Sequence, residues 1–156
     1  MIIRNFSKDD RTEFLSMCKE FYTSGAANEP IPFKNMERTF EYVIKSGTHL
    51  KGLIFEEDGK VAGYGLVILF YSNEAGGLIA FLDEIFVKEA FRGKGIGHQY
   101  LEQIENYLCE DCNDGDEFYD IVGMRLEVCD SNKGAKKLYN NMGFCPLEYK
   151  QMIKAK

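Results

Sequence analysis

The sequence predicts one α/β domain of the α+β kind, a central mixed sheet flanked by helices, and three observations carry that expectation. Apolar residues recur at helical spacing in some stretches, as in Ile96, Tyr100, Ile104 and Leu108, and gather in short strand-like runs in others, as in residues 82–87. The two kinds of segment alternate along the chain. Between two of the strand-like runs, Glu57-Asp58-Gly59 is a tight hairpin signal. A length of 156 residues with 45% hydrophobic content supports one cooperative core and is short for two, so residues 1–156 are expected to form a single domain.

Taken in order, residues 1–6 read as a short first strand. Ser7 follows as a helix N-cap with Asp9 and Asp10 in the first turn, where negative charge complements the helix dipole, and Phe14, Leu15, Cys18, Phe21 and Tyr22 fall on the inner side. Residues 25–32 break the pattern. A second helix carries Met36, Phe40, Val43 and Ile44 and stops before Gly47. Strands at 49–56 and 60–71 flank the hairpin turn, and residues 77–87 continue the sheet after a turn at 73–76. The helix that opens near Gly95 sets its apolar stripe against the sheet and leaves Glu102, Gln103, Glu105 and Asn106 largely outside. Residues 121–129 read as a strand, 132–142 as a short helix with Ala135, Leu138, Tyr139 and Met142 inward, and 144–152 as a last strand. The aromatic early segment, Phe14, Phe21, Tyr22, Phe33, Phe40 and Tyr42, reads mainly as core, with the lining of an acceptor pocket as the alternative.

Charge and cysteine usage exclude several classes. A net charge of -6, from 19 Lys and Arg against 25 Asp and Glu, argues against a broad nucleic-acid footprint and favours cationic partners. The longest apolar run, roughly residues 62–71, is too short to span a membrane. The acidic pair close to Met1 does not resemble a signal peptide, and five cysteines without a secreted-type framework suggest reduced thiols in a cytoplasm. Cys109 and Cys112 form a CxxC, but no second pair or nearby His completes a metal site, so none is expected. The acidic stretch from Glu102 to Asp120 reads as a solvated helix exit and loop.

The densest signal is Arg92-Gly93-Lys94-Gly95-Ile96-Gly97, which follows an apolar run and opens a helix. Glycines at three positions let backbone N–H groups converge on one small space, as a phosphate at a helix N-terminus requires. The order is neither that of a P-loop nor that of the dinucleotide fingerprint. The amides of Gly93, Gly95, Ile96 and Gly97 are expected to cradle a pyrophosphate, with Arg92 and Lys94 adding charge at its edge.

The run from Leu82 through Gly97 resembles the acetyl-coenzyme A binding motif of the GCN5-related N-acetyltransferases (GNAT), a strand followed by Arg/Gln-x-x-Gly-x-Gly/Ala. A second match, from Leu126 to Phe144 and including Asn132, Ala135, Leu138, Tyr139 and Gly143, resembles the later strand and helix of that family. The resemblance implies the GNAT fold, a mostly antiparallel twisted sheet with a splayed strand pair holding acetyl-CoA. It implies that the strand at Ile85, Phe86 and Val87 pairs with the pantetheine arm through backbone groups of Phe86 and Val87, and that the turn from Arg92 to Gly97, extending to His98, holds the pyrophosphate. Asn132 would bind near the pantetheine, and Tyr139 would place its hydroxyl near the thioester sulfur. A homodimer is compatible with the family.

The implied reaction is acetyl transfer to a primary amine by direct attack, with no covalent enzyme intermediate. An amine arriving as a cation must lose a proton, and the departing thiolate benefits from an acid. Tyr139, protonated at neutral pH with an ordinary pKa of about 10, is the candidate acid. Asp83 and Glu84 are the candidate bases. Adjacent in a strand, they point to opposite faces unless the strand is bulged. Leu82-Asp-Glu-Ile-Phe-Val also resembles a run in spermidine/spermine-type acetyltransferases with the two acids exchanged. Glu127 reads as outward or salt-bridged, His49 as the start of a strand, and His98 as either near phosphate or on the surface. The acceptor is expected to be a small cationic amine. A peptide or protein amine is an alternative, as are a non-catalytic acyl-CoA sensor of the same fold and a nucleotide-binding domain.

Overall fold

The computed structural model describes residues 1–24, 30–112 and 120–154, and the side chains of all of these but 109–112. Five strand-forming runs, β1 (Ile2–Asn5), β2 (Leu50–Glu57), β3 (Lys60–Ser72), β4 (Gly77–Val87) and β5 (Ile121–Leu126), lie side by side in chain order. Neighbours are antiparallel from β1 to β4, and β4 and β5 are parallel. The β2–β3 hairpin turns where the sequence calls for it, with φ of 51° at Asp58 and 71° at Gly59, both positive as a tight hairpin turn of this hand requires.

Helices cover both faces. α1 (Arg11–Thr23) and α2 (Phe33–Lys45) pack on one face, where Phe14, Leu15, Met17, Cys18, Met36 and Phe40 join Ile54, Tyr64, Leu66 and Phe86. On the other face α3 (Ile96–Cys112), the crossover between the parallel strands, buries Ile96, Tyr100, Leu101, Ile104 and Leu108 against Leu53, Phe55, Val67, Ala80 and Leu82. The four-residue spacing of the α3 stripe is what places one side of that helix on the sheet. α4 (Lys133–Asn141) adds Leu138 and Tyr139 to the rim of the same core. Its N-cap is Asn132, whose side-chain oxygen accepts a hydrogen bond from the Ala135 N–H at 3.1 Å.

Two irregularities shape the working end of the sheet. Opposite Leu66 and Val67 stand Glu84 and Leu82, so Asp83 is an extra residue on β4, a β-bulge. Two glycines in β3, Gly63 and Gly65, lie where side chains have no room: a Cβ on Gly63 would run into the Phe86 carbonyl oxygen, and one on Gly65 would stand 2.8 Å from the Tyr100 hydroxyl.

The structure differs from expectation after β5. The strand expected over 121–129 ends at Leu126, where pairing with β4 stops, and the strand expected over 144–152 does not form. Pro146 lacks an N–H to donate, and Leu147, Tyr149 and Met152 are 57%, 71% and 96% exposed, so this segment has neither a ladder partner nor a face to bury. Residues 25–29 of the break expected over 25–32, residues 113–119 of the expected acidic loop and the side chains of Cys109 and Cys112 lie outside the described residues. No helix among the described residues is long and apolar enough to cross a membrane.

Candidate active site

The site begins where β5 leaves β4. Register between them runs from Leu78↔Ile121 to Leu82↔Leu126 and then ends, while β4 continues to Val87 paired only with β3. The Lys88 N–H donates to the Ala62 carbonyl at 2.9 Å, and the Phe86 carbonyl points at Gly63. Antiparallel backbone groups alternate in direction, so Phe86 faces β3 and the backbones of Ile85 and Val87 face the opening. Of Phe86 and Val87, whose backbones were expected at the opening, Val87 faces it and Phe86 faces β3. Beneath this edge, the wholly buried Tyr100 hydroxyl lies against Gly65, the partner of Ile85, and has no hydrogen-bond partner among the described residues.

Next along the chain comes the glycine turn. Gly93 and Gly95 adopt φ of 73° and 81°, values that L side chains rarely take, and nothing lies within 4 Å of where a Gly93 Cβ would stand. The Gln99 N–H bonds the Gly95 carbonyl at 2.9 Å, so the amides of Ile96, Gly97 and His98 belong to the first turn of α3, where a helix leaves its donors without intrahelical acceptors. Gly97 packs close to Leu138 of α4. Arg92 is anchored three ways: Nε donates to the Val87 carbonyl at 2.8 Å, Nη2 stands 3.4 Å from a Glu20 oxygen, and the guanidinium lies over the Phe86 ring. Lys94 Nζ sits 5.1 Å from the centre of the Phe91 ring. His98 stands 3.3 Å from Glu102, within its own helix. An unpaired strand edge ending in a basic glycine turn fits an extended ligand whose arm leads into a pyrophosphate, such as coenzyme A.

On the α1/α2 face the bulge brings Asp83 and Glu84 to one pocket of about 340 Å³, whose lining also includes Tyr22, His49 and Leu66. Glu84 is buried, and each of its oxygens accepts a short hydrogen bond, Oε1 from the Tyr22 hydroxyl and Oε2 from the Tyr64 hydroxyl, both at 2.6 Å. Burial raises its pKa above the ordinary carboxylate range, the two hydroxyls oppose that shift, and the charge of Asp83 adds to it. Asp83 is exposed at the mouth, yet the surrounding protein and then the Glu127 carboxylate raise its pKa as well. Cys18 lies under Tyr64, where burial and the Glu84 charge push its thiol up to about 12. That thiol is no nucleophile at neutral pH.

A second, larger cavity of about 1100 Å³ runs along β5 and shares Ile68 with the first. Glu127 and Tyr139 line it. Tyr139 packs edge-on to Phe144 with ring centres 5.9 Å apart, and burial raises its pKa, so its hydroxyl carries a proton at neutral pH. The sequence reading missed Tyr64 and Tyr100, which read as apolar packing, and Tyr22, read mainly as core, takes the alternative place among the lining of a pocket. Only Tyr64 carried a signal, since an aromatic between Gly63 and Gly65 marks a strand approached closely on both sides. Among the described residues, no three His, Cys, Asp or Glu side chains come together as a metal site would.

Comparison with known proteins gives consistent matches. The acetyltransferase (GNAT) family model matches residues 12–144. Thialysine N-epsilon-acetyltransferase of Bos taurus is 37% identical over 84 residues, which is 53% of this chain and 44% of that protein. Spermine/spermidine N(1)-acetyltransferase of Bacillus subtilis (strain 168) is 28% identical over 95 residues, 60% of this chain and 57% of that protein. The chain thus spans about half the length of the curated relatives it matches. Among solved structures, a possible acetyltransferase from Clostridium difficile 630 superposes with a TM-score of 0.79 at 21% identity, covering 99% of this chain and 97% of that one. AAC(6')-Iy, in complex with the bisubstrate analog CoA-S-monomethyl-acetylneamine, gives 0.75 at 18% identity, covering 99% and 97%. At these identities the two structures share the fold.

Proposed function

Because this chain belongs to the acetyltransferase (GNAT) family, whose model spans residues 12–144, we propose that it moves an acetyl group from acetyl-coenzyme A to a primary amine of a small cationic molecule, by direct attack in a ternary complex. The observation that carries this reading is the continuity of β4. The bulge at Asp83 delivers two carboxylates to one pocket, and the next residues, Ile85 and Val87, turn their backbone groups toward the opening, where the Val87 carbonyl already accepts from Arg92 Nε. An amine held by the acids is therefore one or two residues away from whatever lies along that edge. Residues 1–156 act here as one catalytic domain.

Each part of the site has a role in this reading. The backbones of Ile85 and Val87 hold the pantetheine arm, with Phe86 keeping its place against β3. The turn of Arg92, Gly93, Lys94, Gly95, Ile96, Gly97 and His98 holds the pyrophosphate through backbone amides and two cations. Asn132, its side-chain oxygen committed to capping α4, directs its amide group toward the arm. The cofactor supplies a thioester carbonyl open to attack by an amine. Asp83 or Glu84 takes the proton from the incoming ammonium, and the Tyr139 hydroxyl protonates the departing sulfur. The acceptor class follows from charge: the pocket lining has two carboxylates and no Lys or Arg, and the curated relatives are named for thialysine and for spermine and spermidine.

Thiol release from acetyl-CoA by the purified protein, run against polyamines, aminoglycosides, amino acids and short peptides with cofactor binding measured in parallel, tests the proposal. Turnover is expected on small amines with more than one positive charge, and Tyr139→Phe is expected to lower kcat by about a hundredfold. Coenzyme A binding without turnover on any amine would favour a sensor of the same fold. Absence of binding would overturn the assignment of the glycine turn.

A further inference from the structure

Resting on the acetyl-transfer reading above, we propose that the two acids divide their labour: Glu84, oriented by Tyr22 and Tyr64, is a fixed anion that anchors a second, non-reacting positive charge of the acceptor, and Asp83 takes the proton. Tyr22 and Tyr64 are positioning residues for this specificity. The argument starts from the clamp on Glu84. Its two oxygens are held at 2.6 Å by hydroxyls from α1 and from β3, so the carboxylate plane is fixed from two independent elements. Tyr64 is wholly buried and has nowhere to turn. A base must change its charge in each cycle, and a proton on Glu84 would weaken the two hydroxyl hydrogen bonds that hold it, whereas an ammonium can be accepted at the lone pairs those bonds leave open.

The charge balance around Glu84 points the same way. The groups that face it are Cys18 and Tyr22 from α1, Tyr64 from β3, Asp83 from its own strand and His49 just before β2, while α2 contributes only Met36 and Thr39. The formal charge that acts on it is another carboxylate, Asp83, and no Lys or Arg lines the pocket among the described residues. A buried carboxylate supported only by neutral donors and a like charge lacks a counter-ion. An acceptor that keeps one ammonium group while the other reacts supplies it.

Asp83 has the opposite properties. As the bulged residue it stands exposed at the pocket mouth, with Glu127 from the segment after β5 and Glu84 from its own strand as the acids that act on it or adjoin it. The surrounding protein and then the Glu127 charge raise the affinity of Asp83 for a proton. The reacting ammonium breaks one N–H bond, Asp83 gains the proton on a carboxylate oxygen, and the exposed carboxyl then returns it to water, so no further reactant is needed.

The test compares 1,4-diaminobutane with butylamine at saturating acetyl-CoA for wild type, Tyr22→Phe, Glu84→Gln and Asp83→Asn. Tyr22→Phe is expected to raise KM for the diamine about tenfold, the scale of one lost hydrogen bond to a charged group, and so to narrow the diamine preference while the acidic limb of the kcat profile stays in place. Glu84→Gln, isosteric with the native side chain, should narrow it further in the same way. Asp83→Asn should lower kcat on both amines by a hundredfold or more and displace the acidic limb. Loss of kcat on both amines together with the acidic limb in Glu84→Gln would overturn the proposal. Should wild type release no thiol with either amine, the acetyl-transfer reading fails by itself. Calorimetry then decides the anchor: diamine binding about tenfold weaker in Tyr22→Phe supports it, and equal or undetectable binding overturns it.

Discussion

Asp10 illustrates how much one side chain near the start of the chain fixes. Its carboxylate accepts from both terminal nitrogens of Arg4, at 2.7 and 2.8 Å, and from the N–H and hydroxyl of Ser7, at 2.7 and 2.9 Å, while Arg4 Nε reaches Glu56 at 2.7 Å. One carboxylate thus joins β1 to the entry to α1 and, through Arg4, to β2. Burial alone would raise the Asp10 pKa, but the bonds from Arg4 and Ser7 outweigh it and hold the pKa below the ordinary value. A depressed carboxylate pKa contributes stability that is fully present above the unfolded value near 4 and lost as pH falls through the folded value. Asp10→Ala is therefore expected to destabilise by about 2 kcal/mol at pH 7, with the gap from wild type closing below about pH 4. Urea unfolding of both proteins at pH 7 and pH 3 checks this, and a gap undiminished at pH 3 would contradict it. The sequence placed Asp10 in a first helical turn; its three-way role needed Arg4 and Glu56 brought together by the β1–β2 pairing.

At the scale of elements, glycine has opposite meanings in β3 and in α4. Gly63 in β3 has the Phe86 carbonyl where a side chain would begin, so Gly63→Ala must push β3 from β4 and is expected to destabilise by about 2 kcal/mol. Gly134, in the first turn of α4 with open space around it, should tolerate alanine and gain up to about 1 kcal/mol through the unfolded chain. Paired denaturation curves that gave both substitutions the same sign would refute the reading. Strand and helix identities were legible here because periodicity depends only on the chain itself. Residues 144–152 were misread because a strand also needs a partner, and no pattern within the segment reveals whether one is present.

At the scale of the molecule, the cofactor edge, the glycine turn and the acid pocket lie on one strand and its continuation, so coenzyme A should stabilise the whole fold. At a hundred times its Kd the linkage amounts to about 2.7 kcal/mol, which for a domain of this size corresponds to roughly 5–10 °C in Tm. Thermal melts with coenzyme A are expected to show that shift, and ATP or NAD at equal concentration a much smaller one. An equal response to all three would indicate a general nucleotide site. Gly93→Ala, forced to hold a φ of 73° with a Cβ, should reduce the coenzyme A shift.

What the sequence determined by itself is local: the turn at Asp58 and Gly59, the amphipathic stripe of α3, and the glycine spacing after Arg92, each set by the conformational preferences of neighbouring residues. It also placed the acids at 83 and 84 and Tyr139 among the residues to test. Tertiary structure alone decided which way those acids point, because the bulge exists only in the register of β3 against β4. The same holds for the partners of Glu84, since Tyr22 and Tyr64 lie 62 and 20 residues away in the chain. A hydrogen bond over such a separation forms only after the helix has packed and the strands have paired, and no short-range pattern encodes it.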